Sequence, residues 1–453
     1  MNLKELDRHL AGEAWTAPDA YANLEQLCDF APRFAGSPGN FAARDFILQQ
    51  FKAYGVADPR TDAFDYLVWT RGTCGLKMLT PVARDLRSAI SLIYSPNAER
   101  LRATVVDCGI GSEEDFARVG AAAVRGTIAM VTTANPENKP SIHRREKYGR
   151  AVAAGAVGFI YVNHKPGMLA ETGSLRPGKL AEIPAIGISY EEGWELARWC
   201  KRGAVEVEMR IENNSAPGKG YHVVGEIKGK TNETIIVGAH FDGHDISQGA
   251  GDDATGTVVV LELARILAPR AGEFQRTIRL IAFDAEELGV LGSQAYVNLH
   301  RAEFDNVALM INLDGAYGPV ATHGFQTSGF NDTADVIKLY AKDFGYPLAL
   351  KDRVVTASDN FPFFMAGIPA ICMSARGENP ALGRGFGHTA ADTLDKVAEV
   401  DVKAAVMTIT RMLARLAMHN GSLGARRTRE QIKQILIEKD LERALRAQDK
   451  WPF

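Results

Sequence analysis

Cysteine is scarce and scattered in this sequence: Cys28, Cys74, Cys108, Cys200 and Cys372 are odd in number and never fall in a CxxC spacing. That excludes a disulfide framework and a thiolate metal or redox motif, and it predicts reduced, partly buried thiols in a cytoplasmic protein. Long apolar runs are also missing. Stretches such as Thr257 to Leu261 are broken by charge well before the roughly 18 residues that a membrane-spanning helix needs. The N-terminal run Met1-Asn2-Leu3-Lys4-Glu5-Leu6-Asp7-Arg8 is charged and helical in pattern, without the apolar core or small-residue cleavage site of a secretory signal. Charge of neither sign is in excess. The formal net charge of −3 gives no reason to expect a nucleic-acid or anionic-membrane partner. Low-complexity tracts and fixed-period repeats are absent too.

What remains is the composition of a globular protein, with 46% hydrophobic and 24% charged residues, enough to build ample core. A chain of 453 residues exceeds the size at which one core stops growing, so two domains are expected. Tyr21 to Tyr54 reads as a helix pair interrupted by the turn-rich Ala31 to Asn40, followed by strand-like runs at Asp62 to Val68 and Ala89 to Tyr94. From Leu101 to Ile211 short β runs (104–106, 126–131, 157–162, 185–188, 205–211) alternate with helices at Ser112 to Val119 and Arg144 to Ala154. This is the pattern of an inserted β-rich module. The polar segment Asn213 to Gly220 is expected to be its turn-rich exit.

After Tyr221 strands and helices alternate regularly. Strands are expected at Thr234 to His240, Thr277 to Asp284, Val307 to Asp314 and Ala370 to Ser374. Helices are expected at Thr255 to Leu267, Leu288 to His300, Asp332 to Phe344 and Asp401 to Met418. The fold class is therefore α/β, a mostly parallel mixed sheet with helices on both faces. The boundaries follow: a discontinuous main domain at 1–85 and 216–425, an insert at 86–215, and a tail at 426–453. Within that tail, Arg427 to Leu445 reads as one charged amphipathic helix that packs on the chain or pairs it into a homodimer.

Ligands of open α/β sheets bind at the carboxyl ends of the strands. Metal-ligand residue types collect there. One strand ends at His240-Phe241-Asp242, the next at Glu286-Glu287, a third at Asp314-Gly315, and the stretch after Ser374 leads to Gly387-His388-Thr389. The loop after the first strand adds Gly251-Asp252-Asp253. Zinc takes imidazole nitrogen and carboxylate oxygen, and a pair of zinc ions sharing one carboxylate needs about five protein ligands. His240, Asp252, Glu287, Asp314 and His388 supply that number. Glu286, beside a ligand but free to point elsewhere, is the natural general base.

These blocks resemble the co-catalytic zinc aminopeptidases (metallopeptidase family twenty-eight), in family order and at family-like spacing, from about Tyr221 to Met418. The loop His240 to Asp253 and the N-terminal Pro32-Arg33-Phe34-Ala35-Gly36-Ser37 are similar to the carboxypeptidase Q-like branch of that family. Ala254-Thr255-Gly256, by contrast, is closer to the general aminopeptidase pattern. The insert, including Tyr148 to Gly158, resembles a protease-associated domain. The resemblance implies that His240 and Asp314 hold one zinc, Glu287 and His388 the other, and that Asp252 bridges them. It also implies that Asp242 supports a ligand from behind and that the Asp252-Asp253 peptide is cis. The expected activity is a metallo-exopeptidase that removes N-terminal residues or splits dipeptides. The same metals would serve an amidohydrolase or N-acyl amino-acid deacylase, and a non-catalytic binding protein on the same fold is the third reading.

Several neighbours of these residues have plainer expectations. His244 and Asp245 are expected to orient the loop and not to bind metal. His323 and Tyr317 could stabilise an oxyanion but are expected to be loop packing. Ser358-Asp359-Asn360-Phe361 is expected to cap a helix near the cleft, with Phe361 and Phe363 in the core rather than in a substrate pocket. The basic run His143-Arg144-Arg145-Glu146-Lys147 is expected to be a solvated face, or else to catch a substrate carboxylate.

Overall fold

The computed structural model describes residues 3–137, 140–375 and 385–453. The chain divides into two units: one of Met1–Tyr66, Lys219–Gly387 and Ala391–Lys439, the other of Leu67–Gly218, His388–Ala390 and Asp440–Phe453. The sequence placed the insert at 86–215. The division at 66/67 and 218/219 falls inside two long strands, Ala57–Thr80 and Glu206–Ile227. Asn213 to Gly220, expected to be a turn, is thus the middle of a strand. Its glycines leave room for side chains of Ala57–Thr80: a Cβ on Gly220 would meet Phe64 at 2.3 Å, and one on Gly218 would meet Val68 at 2.5 Å.

The first unit is built on a mixed sheet. Its strand order is Ala349–Lys351, Gly324–Gln326, Ala370–Ser374, Val307–Asn312, Thr234–His240, Thr277–Phe283 and the second half of Glu206–Ile227. The four strands from Ala370–Ser374 to Thr277–Phe283 are parallel, with Ile311 opposite Ile371 and Val237, and Ile281 opposite Gly238. Glu206–Ile227 closes that side antiparallel, Val224 against Ile281. The apolar continuity of these strands has its reason in burial on both faces. Ile235, Val237 and Ala239 join Ile278, Leu280 and Ala282 in one core with the helices Thr255–Leu267 and Glu399–Met418. On the other face Phe283 meets Tyr296 of helix Leu291–Leu299 at 6.0 Å and Phe363 of helix Asn360–Met365 at 6.1 Å. In Thr255–Leu267 every residue but Arg265 is buried, which explains a helix with almost no polar face.

The second unit contains consecutive parallel strands Ala98–Asp107, Ile128–Thr132, Gly158–Val162 and Ala185–Ile188, with Ile90–Ser91 antiparallel at the edge and the first half of Glu206–Ile227 antiparallel to Ala98–Asp107. Its basic run is not a solvated face. Arg144, Arg145 and Lys147 are all buried. Arg144 donates to the carbonyls of Thr172 and Ser174, Arg145 to the Ser174 hydroxyl, and Lys147 to the carbonyls of Thr132 and Ala134. These side chains knit loop backbone together. The C-terminal tail is two helices, Arg429–Glu438 and Glu442–Ala447, where one was expected. Asp440, at a φ of 54°, turns the chain between them. The second of these helices lies against Gly149, whose missing Cβ would sit 2.0 Å from the Ala447 carbonyl oxygen.

Among the described residues no helix is long and apolar enough to cross a membrane. The five cysteines are free thiols.

Candidate metal centre

Strand Thr234–His240 ends on His240, which is 1% exposed. Its ring Nδ1 lies 3.1 Å from the Asp242 carbonyl oxygen and its Nε2 lies 3.5 Å from Asp252 Oδ1. With Nδ1–H donating to that carbonyl, the lone pair belongs to Nε2, the tautomer a metal ligand requires. The Asp242 carboxylate has a different task. Its two oxygens accept the N–H groups of Glu286 and Glu287, each at 3.1 Å, and so fix the turn at the end of strand Thr277–Phe283. Ala285 holds that turn open at a φ of 59°.

The peptide between Asp252 and Asp253 is cis. The Asp392 carboxylate accepts the N–H groups of Gly251 and Asp252 at 2.8 and 3.1 Å. Asp253 braces the following helix: its Oδ1 accepts from Gly256 N–H at 3.1 Å and from Gly315 N–H at 3.0 Å. Asp314 follows strand Val307–Asn312, and its Oδ2 accepts the Ser358 hydroxyl at 2.7 Å, while Ser358 in turn accepts from Asn312 Nδ2 at 2.6 Å. One ligand atom each from His240, Asp253 and Asp314 fits within a 4.8 Å cluster. His244 Nε2 stands 2.9 Å from Glu287 Oε2. His388, at a φ of 64°, groups with the second unit, where its carbonyl accepts Thr172 N–H at 2.9 Å and its Nδ1 lies 3.2 Å from the Thr172 carbonyl oxygen.

The first unit thus brings His240, Asp242, Asp252, Glu286, Glu287 and Asp314 together as buried polar groups, and the sequence had marked all six. Asp253, Asp392, Ser358 and the close pairing of His244 with Glu287 were not assigned. Asp392 was visible as part of the His388-Thr389 block. Ser358 carries no spacing signal, because it reaches Asp314 only through the fold. Both ring nitrogens of His323 are engaged by the fold, and Tyr317 is buried beside the Asp252 loop. His323 Nδ1 and Nε2 are 2.7 and 2.8 Å from the Thr408 hydroxyl and the Gly318 carbonyl, and the Tyr317 hydroxyl would lie 2.6 Å from a Cβ on Gly251.

The electrostatics are those of a densely acidic, buried cluster. Burial pushes the Glu286 carboxyl well above the usual range, and Glu287 adds to this while His240 opposes it. Burial also raises Asp253 well above its ordinary value, and it brings Asp359 to about 7. At His240 burial favours the neutral ring, but Asp242 and Asp252 outweigh it and hold the imidazole well above the usual histidine range. Carboxylates packed this densely out of water are stable as anions only beside compensating positive charge. Imidazole nitrogen with carboxylate oxygen is the donor set that zinc accepts.

Comparison with known proteins agrees with this chemistry. Residues 222–413 match Peptidase family M28, and residues 97–196 match the PA domain. The chain is 30% identical over 301 residues to aminopeptidase YwaD of Bacillus subtilis, an alignment covering 66% of this chain and 61% of that protein. It is 27% identical over 435 residues to leucine aminopeptidase 2 of Trichophyton rubrum, covering 87% and 82%. Among solved structures, a peptidase M28 precursor from Shewanella amazonensis superposes with a TM-score of 0.80 at 25% identity, covering 94% of this chain and 99% of that one. A zinc aminopeptidase from Bacillus subtilis does so with a TM-score of 0.70 at 25% identity, covering 91% and 98%. The strand-end cluster, the match over 222–413 and these neighbours agree: the chain carries a region similar to peptidase family M28 in sequence and fold, with a region similar to the PA domain ahead of it.

Proposed function

We propose that this metallopeptidase is a di-zinc aminopeptidase that removes N-terminal residues from peptides, with His240 and Asp314 holding one zinc, Glu287 and His388 the other, and Asp252 between them. The observation that carries the reading is the paired use of His240: Nδ1 is anchored on the Asp242 carbonyl, and Nε2 is turned toward Asp252 Oδ1 at 3.5 Å. Asp252 is taken as the bridge for its Oδ1, 3.5 Å from His240 Nε2, while Asp253 Oδ1 accepts two backbone N–H groups and braces the loop beside it. Held by such residues, zinc would supply a Lewis acid for the scissile carbonyl and would lower the pKa of a water toward neutrality. Glu286 takes the proton from the attacking water and delivers it to the leaving amine. Its place is set by the Asp242 carboxylate, which holds the Glu286 N–H at 3.1 Å. The free thiols agree with a cytoplasmic site of action.

The likeness of the His240–Asp253 loop to carboxypeptidase Q would favour dipeptides, whereas the relatives described above are named aminopeptidases. A panel of aminoacyl amides, dipeptides and N-acylated amino acids decides between them. Turnover of aminoacyl amides and longer peptides supports the proposal. Exclusive turnover of dipeptides, or of substrates with blocked amines, replaces it with the dipeptidase or the deacylase. Glu286→Gln should keep its metal and lose activity by about 10²–10⁴-fold. If that variant retains full turnover, the general base lies elsewhere.

A further inference from the structure

Arg33 lies in Pro32-Arg33-Phe34-Ala35-Gly36-Ser37, outside residues 222–413. Its guanidinium is 1% exposed, and the partners recorded for it are main-chain carbonyls. Nε donates to Phe241 O at 2.9 Å, Nη1 to Leu27 O at 3.1 Å and to Gln248 O, and Nη2 to Gly249 O at 2.9 Å. The carbonyl of Arg33 itself accepts the Gly243 N–H at 3.2 Å. One side chain therefore grips both ends of the loop that leaves His240 and arrives at Asp252. The loop is shaped to receive it. Gly249 sits at a φ of 58°, and a Cβ there would come within 3.2 Å of Arg33 Nη2 and 2.9 Å of the Asp252 carbonyl. Across the same loop Asp392 accepts the N–H groups of Gly251 and Asp252. The carbonyls of 248 and 249 thus point to the Arg33 guanidinium and the N–H groups of 251 and 252 to the Asp392 carboxyl group, so the loop is held from two sides.

We propose that Arg33 is a positioning residue for the metal centre: from beneath the loop it holds His240 and Asp252 facing one another. This rests on reading those two residues as zinc ligands. The multidentate fork is essential, because four carbonyls in four directions cannot be reached by one ammonium. A residue serving only general stability would lower the melting temperature without singling out this loop.

The test compares wild type with Arg33→Lys, which keeps the charge, and with Gly249→Ala, which keeps Arg33 and wedges a methyl against it. Amide hydrogen exchange is followed in the metal-free full-length proteins. Zinc affinity is then measured by competition with a chelator. Both variants should exchange at least about tenfold faster at amides 243–254 and unchanged along helix Thr255–Leu267, and they should bind zinc about 10–100-fold more weakly. Wild-type exchange and affinity in both variants would overturn the proposal, as would acceleration spread evenly over the chain. Should wild type itself bind no zinc, the di-zinc reading falls, while the exchange pattern still decides whether Arg33 positions the loop.

Discussion

At Asp242 the carbonyl and the carboxylate have separate partners, and the distinction can be tested by substitution. Asp242→Ala leaves the carbonyl that anchors His240 but releases the N–H groups of Glu286 and Glu287. Its expected signature is a fall in kcat of about 10–100-fold with a smaller change in KM, measured by steady-state kinetics at saturating zinc. Asp242 and Glu286 were legible in the sequence because strand ends concentrate chemistry. Ser358, Asp392 and Arg33 were much less so, since their partners stand 44, 141 and 208 residues away in sequence. His222 gives a pH prediction at the same scale. Burial among Phe64, Phe283 and Tyr296 brings its ring down to about 3. The unfolded chain takes up that proton near the ordinary value of about 6.5, so stability is complete above that pH and is lost as pH falls toward 3, by up to about 1.4 kcal/mol per unit. Urea unfolding at pH 7 and pH 5 should show a smaller acid loss for His222→Gln than for wild type. Equal losses would remove His222 from the acid limb.

Elements succeed or fail in the sequence according to where their partners lie. Helix Thr255–Leu267 and the parallel strands were readable because burial on all sides leaves a continuous apolar run. Asn213 to Gly220 was not, because polar and glycine-rich residues form a strand there only through the long strand Ala57–Thr80 beside them. The tail was misread as one helix because its periodicity continues across Asp440, where the backbone turns left-handed. The N-terminal helix Leu3–Thr16 is pinned to helix Glu399–Met418 by Asp7, which meets Arg411 and Arg415, the latter 2% exposed at its side chain. Asp7→Ala leaves those buried guanidinium groups short of an anion. It should cost about 3 kcal/mol in chemical unfolding. A loss below about 1 kcal/mol would show that Asp343, 2.8 Å from Arg415, suffices alone.

For the whole molecule the ledger of buried acids makes a claim about folding as well as catalysis. A cation that binds only the folded chain stabilises it by mass action, about 2.7 kcal/mol at one hundred times its Kd. Melting in a chelator should therefore come lower than melting in zinc, and the gap should shrink in Asp252→Asn. Unchanged melting would mean that the cluster holds its charges without metal. The most direct measurement is the zinc content of the purified, metal-replete chain, determined by elemental analysis alongside protein concentration. The expected result is about two zinc ions per chain, falling in His240→Ala. A metal-replete chain that binds none, or only one, would contradict it.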